Sequence, residues 1–330
     1  MLGRDDSILV TGAGGFIGGH LVRRLRQLGH TRIRAVDVKP LDSWHQLHTS
    51  ADNRQADLRV RAACDGVMEG IEHVFNFAAD MGGMGYIETH KAECMLSVLI
   101  NTHLLLAARD AGAQRFFYAS SACVYNADKQ SDVDVTALRE ADAYPAQPED
   151  GYGWEKLFGE RMCRHFMEDF GLETRVARFH NVYGPNGAWR GGREKAPAAI
   201  CRKVAESVLS GSGEIEIWGD GKQTRSFTYV DDCIEGTLRL MQSDVREPLN
   251  VGSSELVSVD ELVSVVEDIA GVKLARRYDP SAPQGVRGRN SDNALISEKL
   301  GWEPSTPLAT GMAVTYDWVR AQLSRGGGVA

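Results

Sequence analysis

Ile8-Leu-Val-Thr-Gly-Ala-Gly-Gly-Phe-Ile-Gly-Gly-His20 is the stretch that decides the fold. A strand-like run, Ile8–Thr11, feeds Gly12-Ala-Gly-Gly15-Phe-Ile-Gly18, and a helical pattern follows over residues 20–28. Glycine at a strand-to-helix turn permits a sharp turn and close backbone approach. The helix N-terminus then offers free N–H groups and a positive dipole end to a pyrophosphate. The spacing G-x-x-G-x-x-G departs from the common G-x-G-x-x-G, and a glycine-rich loop alone is often only a turn. Asp37, about 20 residues further on at the end of a second strand, gives the loop a partner. A carboxylate there accepts hydrogen bonds from a ribose diol and repels a 2′-phosphate, which favours NAD over NADP despite Lys39 nearby. Asp57-Leu58, after a third strand, is either an adenine contact or a solvated turn.

Further strand-like runs at 33–36, 73–77, 115–119 and 174–179 alternate with helical patterns, the signature of β-α-β units. The predicted fold is therefore α/β, a Rossmann-type doubly wound parallel sheet. After His180 the pattern changes to loops rich in Gly and Pro, a helix over 197–210 and short strands near 215–218 and 225–229. Residues 248–252 read as a strand returning to the first sheet. The expected division is a dinucleotide-binding domain of 1–179 with about 227–253, interleaved with a smaller substrate lobe of about 180–226 and 254–330.

A chain of 330 residues is long enough for two lobes and a cleft between them. Its net charge of -8 argues against nucleic-acid binding, which needs a basic surface. The six cysteines, at 64, 94, 123, 163, 201 and 233, form no C-x-x-C pair. Neither a metal site nor a disulfide framework is expected, and a reduced, cytoplasmic setting fits best. No apolar run approaches the roughly 18 residues of a membrane span, and no charged-then-apolar leader precedes residues 7–11, so no membrane partner is expected. Only residues 324–330 read as unstructured.

Tyr152-Gly-Trp-Glu-Lys156 places a phenol and an ammonium at i and i+4, on one helix face. Bringing a tyrosine from about 10 toward ~7 needs about 4 kcal/mol of preferential phenolate stabilisation, from Lys156 and a cationic nicotinamide ring. Tyr152 then becomes a workable base for a sugar hydroxyl. An isolated Y-x-x-x-K is usually a helix with a solvated lysine. Here it follows a dinucleotide-type half and comes about 30 residues after Ala119-Ser-Ser-Ala-Cys-Val-Tyr125, a strand end where a hydroxyl completes the site.

The glycine loop, Asn76-Phe-Ala-Ala79, Ser121, Tyr152/Lys156 and residues 178–185 together resemble the extended short-chain dehydrogenase/reductases over nearly the whole chain. Within that family, five motifs in order resemble the branch that inverts carbons 3 and 5 of GDP-mannose. They are Ala79-Asp-Met-Gly-Gly-Met-Gly85, Ser120-Ser-Ala-Cys123, Gly192-Arg-Glu-Lys-Ala-Pro197, Trp218-Gly-Asp-Gly-Lys-Gln-Thr-Arg225 and Gly285-Val-Arg-Gly-Arg-Asn-Ser-Asp292. The resemblance implies NAD held by Gly12, Gly15, Phe16, Ile17, Gly18, Asp37, Asp57, Leu58 and Ala79, together with Tyr152 and Lys156. It makes Ser121, Tyr152 and Lys156 the redox triad, with Cys123 and Lys195 the acid/base pair. Oxidation at the fourth sugar carbon acidifies hydrogens on both neighbours, so two such groups have work to do. By composition alone Cys123 is a buried apolar thiol and Lys195 a surface lysine, and a proton-transfer role for Lys195 requires burial.

The same resemblance gives Arg225 and Arg289 the diphosphate, with Glu194, Lys203 and Gln223 as further contacts. Asn181 and the Gly82-Gly83-Met84 loop would hold the sugar. It also implies a homodimer through the helices at 88–112 and 152–171. Asn126 departs from the proline usual after Tyr125, which bears on substrate fit. Among competitors, a 4,6-dehydratase needs an acidic pair absent after Ser121, and a simple 4-epimerase has no use for Cys123 and Lys195. An epimerase-reductase acting on a GDP-4-keto-6-deoxy sugar would carry a histidine and use NADPH. A non-catalytic NAD-binding regulator would have lost the Tyr–Lys pair.

Overall fold

Every residue of Ile8–Thr11 is buried, as an apolar run without a polar face requires of a central parallel strand. The computed structural model describes residues 2–326. Its first half runs β1 (Ile8–Thr11), α1 (Phe16–Gln27), β2 (Ile33–Asp37), β3 (Asp52–Gln55), α2 (Arg61–Met68), β4 (His73–Asn76), α3 (Met84–Thr89), α4 (Lys91–Met95), α5 (Ser97–Asp110), β5 (Arg115–Ser121), α6 (Tyr152–Phe170) and β6 (Glu173–Phe179). The second half adds β7 (Val182–Tyr183), α7 (Ala196–Ser210), β8 (Glu214–Trp218), β9 (Thr224–Ser226), β10 (Thr228–Tyr229), α8 (Val230–Gln242), β11 (Leu249–Val251), β12 (Leu256–Ser258), α9 (Val259–Ala270), β13 (Ala275–Asp279), β14 (Gly288–Arg289), α10 (Ala294–Leu300) and α11 (Leu308–Ser324).

Seven strands form one parallel sheet in the order β11-β6-β5-β4-β1-β2-β3. The order reverses between β1 and β4, and ligands of doubly wound sheets bind beyond the strand ends at such a switch point. Successive residues of β1 feed opposite faces. Ile8 and Val10 pack with Leu21 and Leu25 of α1 and Ile234 of α8, while Leu9 packs with Val67 of α2 and Leu104 of α5. A separate core joins α7, α9 and α11 around Ile215 and Ile217 of β8. The returning strand read at 248–252 is β11, paired with β6 through Leu249↔Ala177.

Three expectations need correction. α1 begins at Phe16 rather than 20, because Gly18 and Gly19 lie inside the helix; a Cβ on Gly18 would stand 2.3 Å from the Gly12 carbonyl oxygen. The stretch 88–112 is not one helix. Thr89 Oγ1 donates back to the Gly85 carbonyl at 2.7 Å, the His90 ring stacks on Tyr86, and the chain turns at His90 and again at Leu96. Of the stretch 324–330, Ser324 closes α11, its hydroxyl donating to the Arg320 carbonyl at 3.0 Å, and 327–330 lie outside the described residues.

Where no membrane-length segment was expected, Lys91–Asp110 is apolar and long enough to cross a membrane by length and composition. Its apolar residues serve two faces. Leu104, Leu105, Ala107 and Ala108 are buried against the sheet, whereas Met95, Leu96 and Leu99 are exposed.

Candidate active site

At the carboxyl end of β1, Gly12 adopts φ +68, and a Cβ there would lie 2.9 Å from the Phe77 carbonyl. Only glycine fits this crossing of β1 past β4. No side chain caps α1 and no acidic residue occupies its first turn, so the N–H groups of Phe16, Ile17 and Gly18 face an end of the sheet suited to an anion. Asp37, at the end of β2, accepts from Gly14 N and Lys39 N at 3.0 Å each. Two backbone donors fix its carboxylate beside the glycine loop and leave lone pairs for a ribose diol. This donor set fits a dinucleotide. Ala79 follows β4, and Leu58, buried, follows β3. The Asp57 carboxylate is held by Arg59, including Nη2 at 2.7 Å, so its side chain is committed to that turn.

Beyond the switch point, β5 and α6 assemble the reacting groups. Ser120 and Ser121 alternate across the sheet: Ser120 Oγ donates to the buried Glu160 at 2.5 Å, which is also paired with Arg178, while Ser121 faces the cleft. Ser121 Oγ accepts from Cys123 N at 3.2 Å and so begins the turn that presents the thiol. Tyr152, at the first turn of α6, hydrogen-bonds Ser121, and Lys156 lies one turn deeper and is buried. The Lys156 ammonium is 3.5 Å from the buried Glu155 carboxylate and 5.5 Å from the Tyr152 ring centre. Burial, reinforced by Cys123 and Glu155, pushes the Tyr152 phenol well above its ordinary range, and the Ser121 hydrogen bond only partly opposes it. The lowered phenol, expected from Lys156 and a cationic nicotinamide ring together, is not reached by the chain's own groups, because burial outweighs them.

The Cys123 thiol is likewise raised, first by burial and then by Glu149, against the opposing influence of Arg289, Ser121 and Lys195. Lys195 is the N-cap residue of α7, and among the described residues no carboxylate pairs with it. Burial lowers its pKa, with Cys123 acting in the opposite sense. An amine without a counter-charge and with a depressed pKa gives up its proton more readily than a free lysine and so suits proton exchange with a bound ligand. Its position is set by a loop crossing: Gly83 N donates to the Arg193 carbonyl at 3.0 Å, and a Cβ on Gly83 would stand 2.3 Å from the Glu194 carbonyl oxygen.

One cleft takes in all twelve residues expected to touch substrate: Gly82, Gly83, Met84, Ser121, Cys123, Asn181, Glu194, Lys195, Lys203, Gln223, Arg225 and Arg289. Their own contacts differ. The Arg225 guanidinium donates only to carbonyls, those of Thr224, Gln284 and Val286, and burial, then the neighbouring Arg289, lowers its pKa, with Glu149 acting in the opposite sense. A buried guanidinium in that state is complementary to an anion such as a diphosphate. Gln223, which lines the same cleft, is buried, and its Oε1 lacks a partner. By contrast, Arg289 has its donors engaged by Gln130, Cys123 and Glu149. Glu194 accepts from Gly192 N and Arg202, Lys203 pairs with Glu216, and the Asn181 amide donates to the Ser226 carbonyl. Glu149, Glu155 and Trp218 belong to the site's surroundings and were not singled out by the sequence. Glu149 lies outside the motifs quoted above, and Glu155 and Trp218 lie within them as an ordinary acid and an ordinary aromatic residue to which no role was given.

A dinucleotide site at the switch point, a Ser–Tyr–Lys set and an acid/base pair in one cleft define a nicotinamide-dependent enzyme that acts on a hydroxyl-bearing substrate. The NAD dependent epimerase/dehydratase family model matches residues 8–252, and the chain belongs to that family. It is 50% identical over 319 residues to the GDP-mannose 3,5-epimerase of Arabidopsis thaliana, covering 96% of this chain and 83% of that protein. The UDP-glucose 4-epimerase of Thermotoga maritima, solved with UDP-glucose, superposes with a TM-score of 0.86 at 26% identity over 96% of this chain and 99% of that one. MoeE5, solved with UDP-glucose and NAD, gives 0.80 at 31% identity over the same shares, 96% and 99%. The chain is an NAD-dependent isomerase of the extended short-chain dehydrogenase/reductase fold.

Proposed function

We propose that the protein is a GDP-mannose 3,5-epimerase, converting GDP-D-mannose to GDP-L-galactose, GDP-L-gulose or both. The observation that carries this reading is the placement of Cys123 and Lys195, from two different elements, in the cleft that also holds Ser121 and Tyr152. The glycine loop and Asp37 would hold NAD, with Tyr152 and Lys156 as further contacts. When bound, NAD would supply the hydride acceptor and donor for the fourth sugar carbon and a positive charge that favours the phenolate. Tyr152, oriented by Ser121, takes the hydroxyl proton. The resulting ketone acidifies the hydrogens at carbons 3 and 5, and Cys123 and Lys195 remove and return them as C–H electron pairs pass into and out of the enolate. Arg225 receives the diphosphate. The epimerase-reductase alternative is disfavoured because no histidine lines the cleft among the described residues.

Proton NMR of the purified protein with GDP-mannose in deuterated water, without added cofactor, tests the reading. Deuterium at the third and fifth carbons is the expected result. Deuterium at the fifth alone assigns a gulose-forming enzyme, and none, in folded protein loaded with NAD, removes the assignment. The working form is a homodimer, without a membrane partner and cytoplasmic. Met95, Leu96 and Leu99 beside α5, with Trp154 and Phe158 on α6, form adjoining exposed apolar faces that a second copy would cover.

A further inference from the structure

Glu149 has no role in the reading above, yet it is tied to the reacting thiol twice. Its side chain is 13% exposed and its carboxylate is ion-paired with Arg289 Nη2. Its backbone N–H donates to the Cys123 carbonyl at 3.0 Å. Arg289, 5% exposed, gives Nε to Gln130 Oε1 at 2.6 Å and directs Nη1 at the Cys123 sulfur at 3.7 Å. Glu149, Arg289 and Cys123 thus form a short buried chain from carboxylate through guanidinium to thiol.

We infer that Glu149 is a positioning residue for proton transfer: by holding Arg289 it sets how much of that guanidinium's charge reaches the Cys123 sulfur. The inference rests on the epimerase reading. A thiol that takes a proton from a sugar carbon and gives it back must not be pinned in either form. The groups facing Cys123 are the cations Arg289, Lys195 and Arg225, the hydroxyls of Ser121 and Tyr152, the Cys94 thiol packed in the same apolar cluster, and one carboxylate, Glu149. Three cations unopposed would hold the thiolate and make return of the proton slow. One buried carboxylate paired with the nearest of them restores the balance, in agreement with the opposite senses in which Glu149 and Arg289 act on the thiol.

The test uses the NAD-loaded protein. Cys123 is titrated by the pH dependence of its alkylation with iodoacetamide, with Cys123→Ser as the blank for the other five cysteines, in wild type, Glu149→Gln and Glu149→Asp. In parallel, the pH profile of deuterium exchange into GDP-mannose is recorded. Glu149→Gln is expected to lower the half-point of alkylation by about one pH unit, to move the alkaline limb of exchange down with it, and to leave the KM for GDP-mannose within about twofold. Glu149→Asp, with its carboxylate drawn back from Arg289, is expected to show a smaller shift of the same sign, and it carries the test if Glu149→Gln does not retain NAD. An unmoved or raised half-point overturns the inference, as does a loss of exchange equal at every pH, which is the mark of a merely structural residue. Because alkylation needs no turnover, a half-point that moves as stated in a protein that exchanges no deuterium would remove the epimerase reading alone.

Discussion

A thiol and an amine with oppositely displaced pKa values share one cleft, and burial is the first cause of both shifts. Each disfavours charge where it stands: the thiol is held protonated and the amine is eased toward neutrality. Positioned acid/base groups contribute about 10²–10⁴-fold, so Cys123→Ser and Lys195→Ala should each lower epimerisation by about that factor. NAD content, read from the absorbance of cofactor released on denaturation, should be unchanged because neither residue lies on the glycine loop. Turnover that survives either substitution would sink the two-group proposal. The identity of these two residues was legible in the sequence through their motifs, but their environment was not. Nothing between Gly191 and Lys195 in the sequence distinguishes a surface lysine from one enclosed by a loop arriving from residue 83. Glu155 is the reverse case: its neighbour Lys156 was read from the motif as part of the set, while the buried carboxylate 3.5 Å from that ammonium becomes visible only in three dimensions.

Elements were legible where hydrophobic periodicity was strong. The five strands read from the first half coincide in place with β1, β2, β4, β5 and β6, and β11 returns to the sheet beside β6. The segment 88–112 failed because its break at His90 carries neither glycine nor proline, and it goes with a back-bonded threonine and a ring stack instead. The loop crossing at Gly83 is equally silent in sequence, and it supplies a prediction at this scale. Gly83→Ala puts a methyl 2.3 Å from a carbonyl oxygen that has no room to retreat without moving Lys195. The expected result is a fall in kcat of at least about tenfold with the thermal midpoint lowered by no more than a few degrees; unchanged kcat would show that the loop does not set the lysine. The apolar faces beside α5 and on α6 give a second. Phe158→Glu should convert a dimer to a monomer in multi-angle light scattering, and a wild-type monomer would refute the proposed interface.

Taken whole, the molecule carries a penalty in acid that follows from two buried histidines. His20 on α1 contacts the Pro185 carbonyl at 2.9 Å, and His180, after β6, contacts Asn250 Oδ1 at 3.0 Å. Burial lowers the first from 6.5 to about 4 and the second from 6.5 to about 3. Between those values and 6.5 the unfolded chain binds more protons than the folded one, so stability rises with pH across that window. Above pH 6.5 both rings are neutral in either state and the contribution is fully present. As pH falls through 6.5 toward 4 and then 3, it is progressively lost. A shift of one unit corresponds to about 1.4 kcal/mol, so each histidine accounts for a few kcal/mol at most. Urea unfolding midpoints should therefore fall steeply from pH 6.5 to 4 and be nearly flat from 6.5 to 8, and His180→Gln, an uncharged hydrogen-bonding replacement, should flatten the acid limb. A variant whose acid limb matches the wild type would place the acid sensitivity in the carboxylates instead, because their folded-state pairing breaks in the same direction of pH.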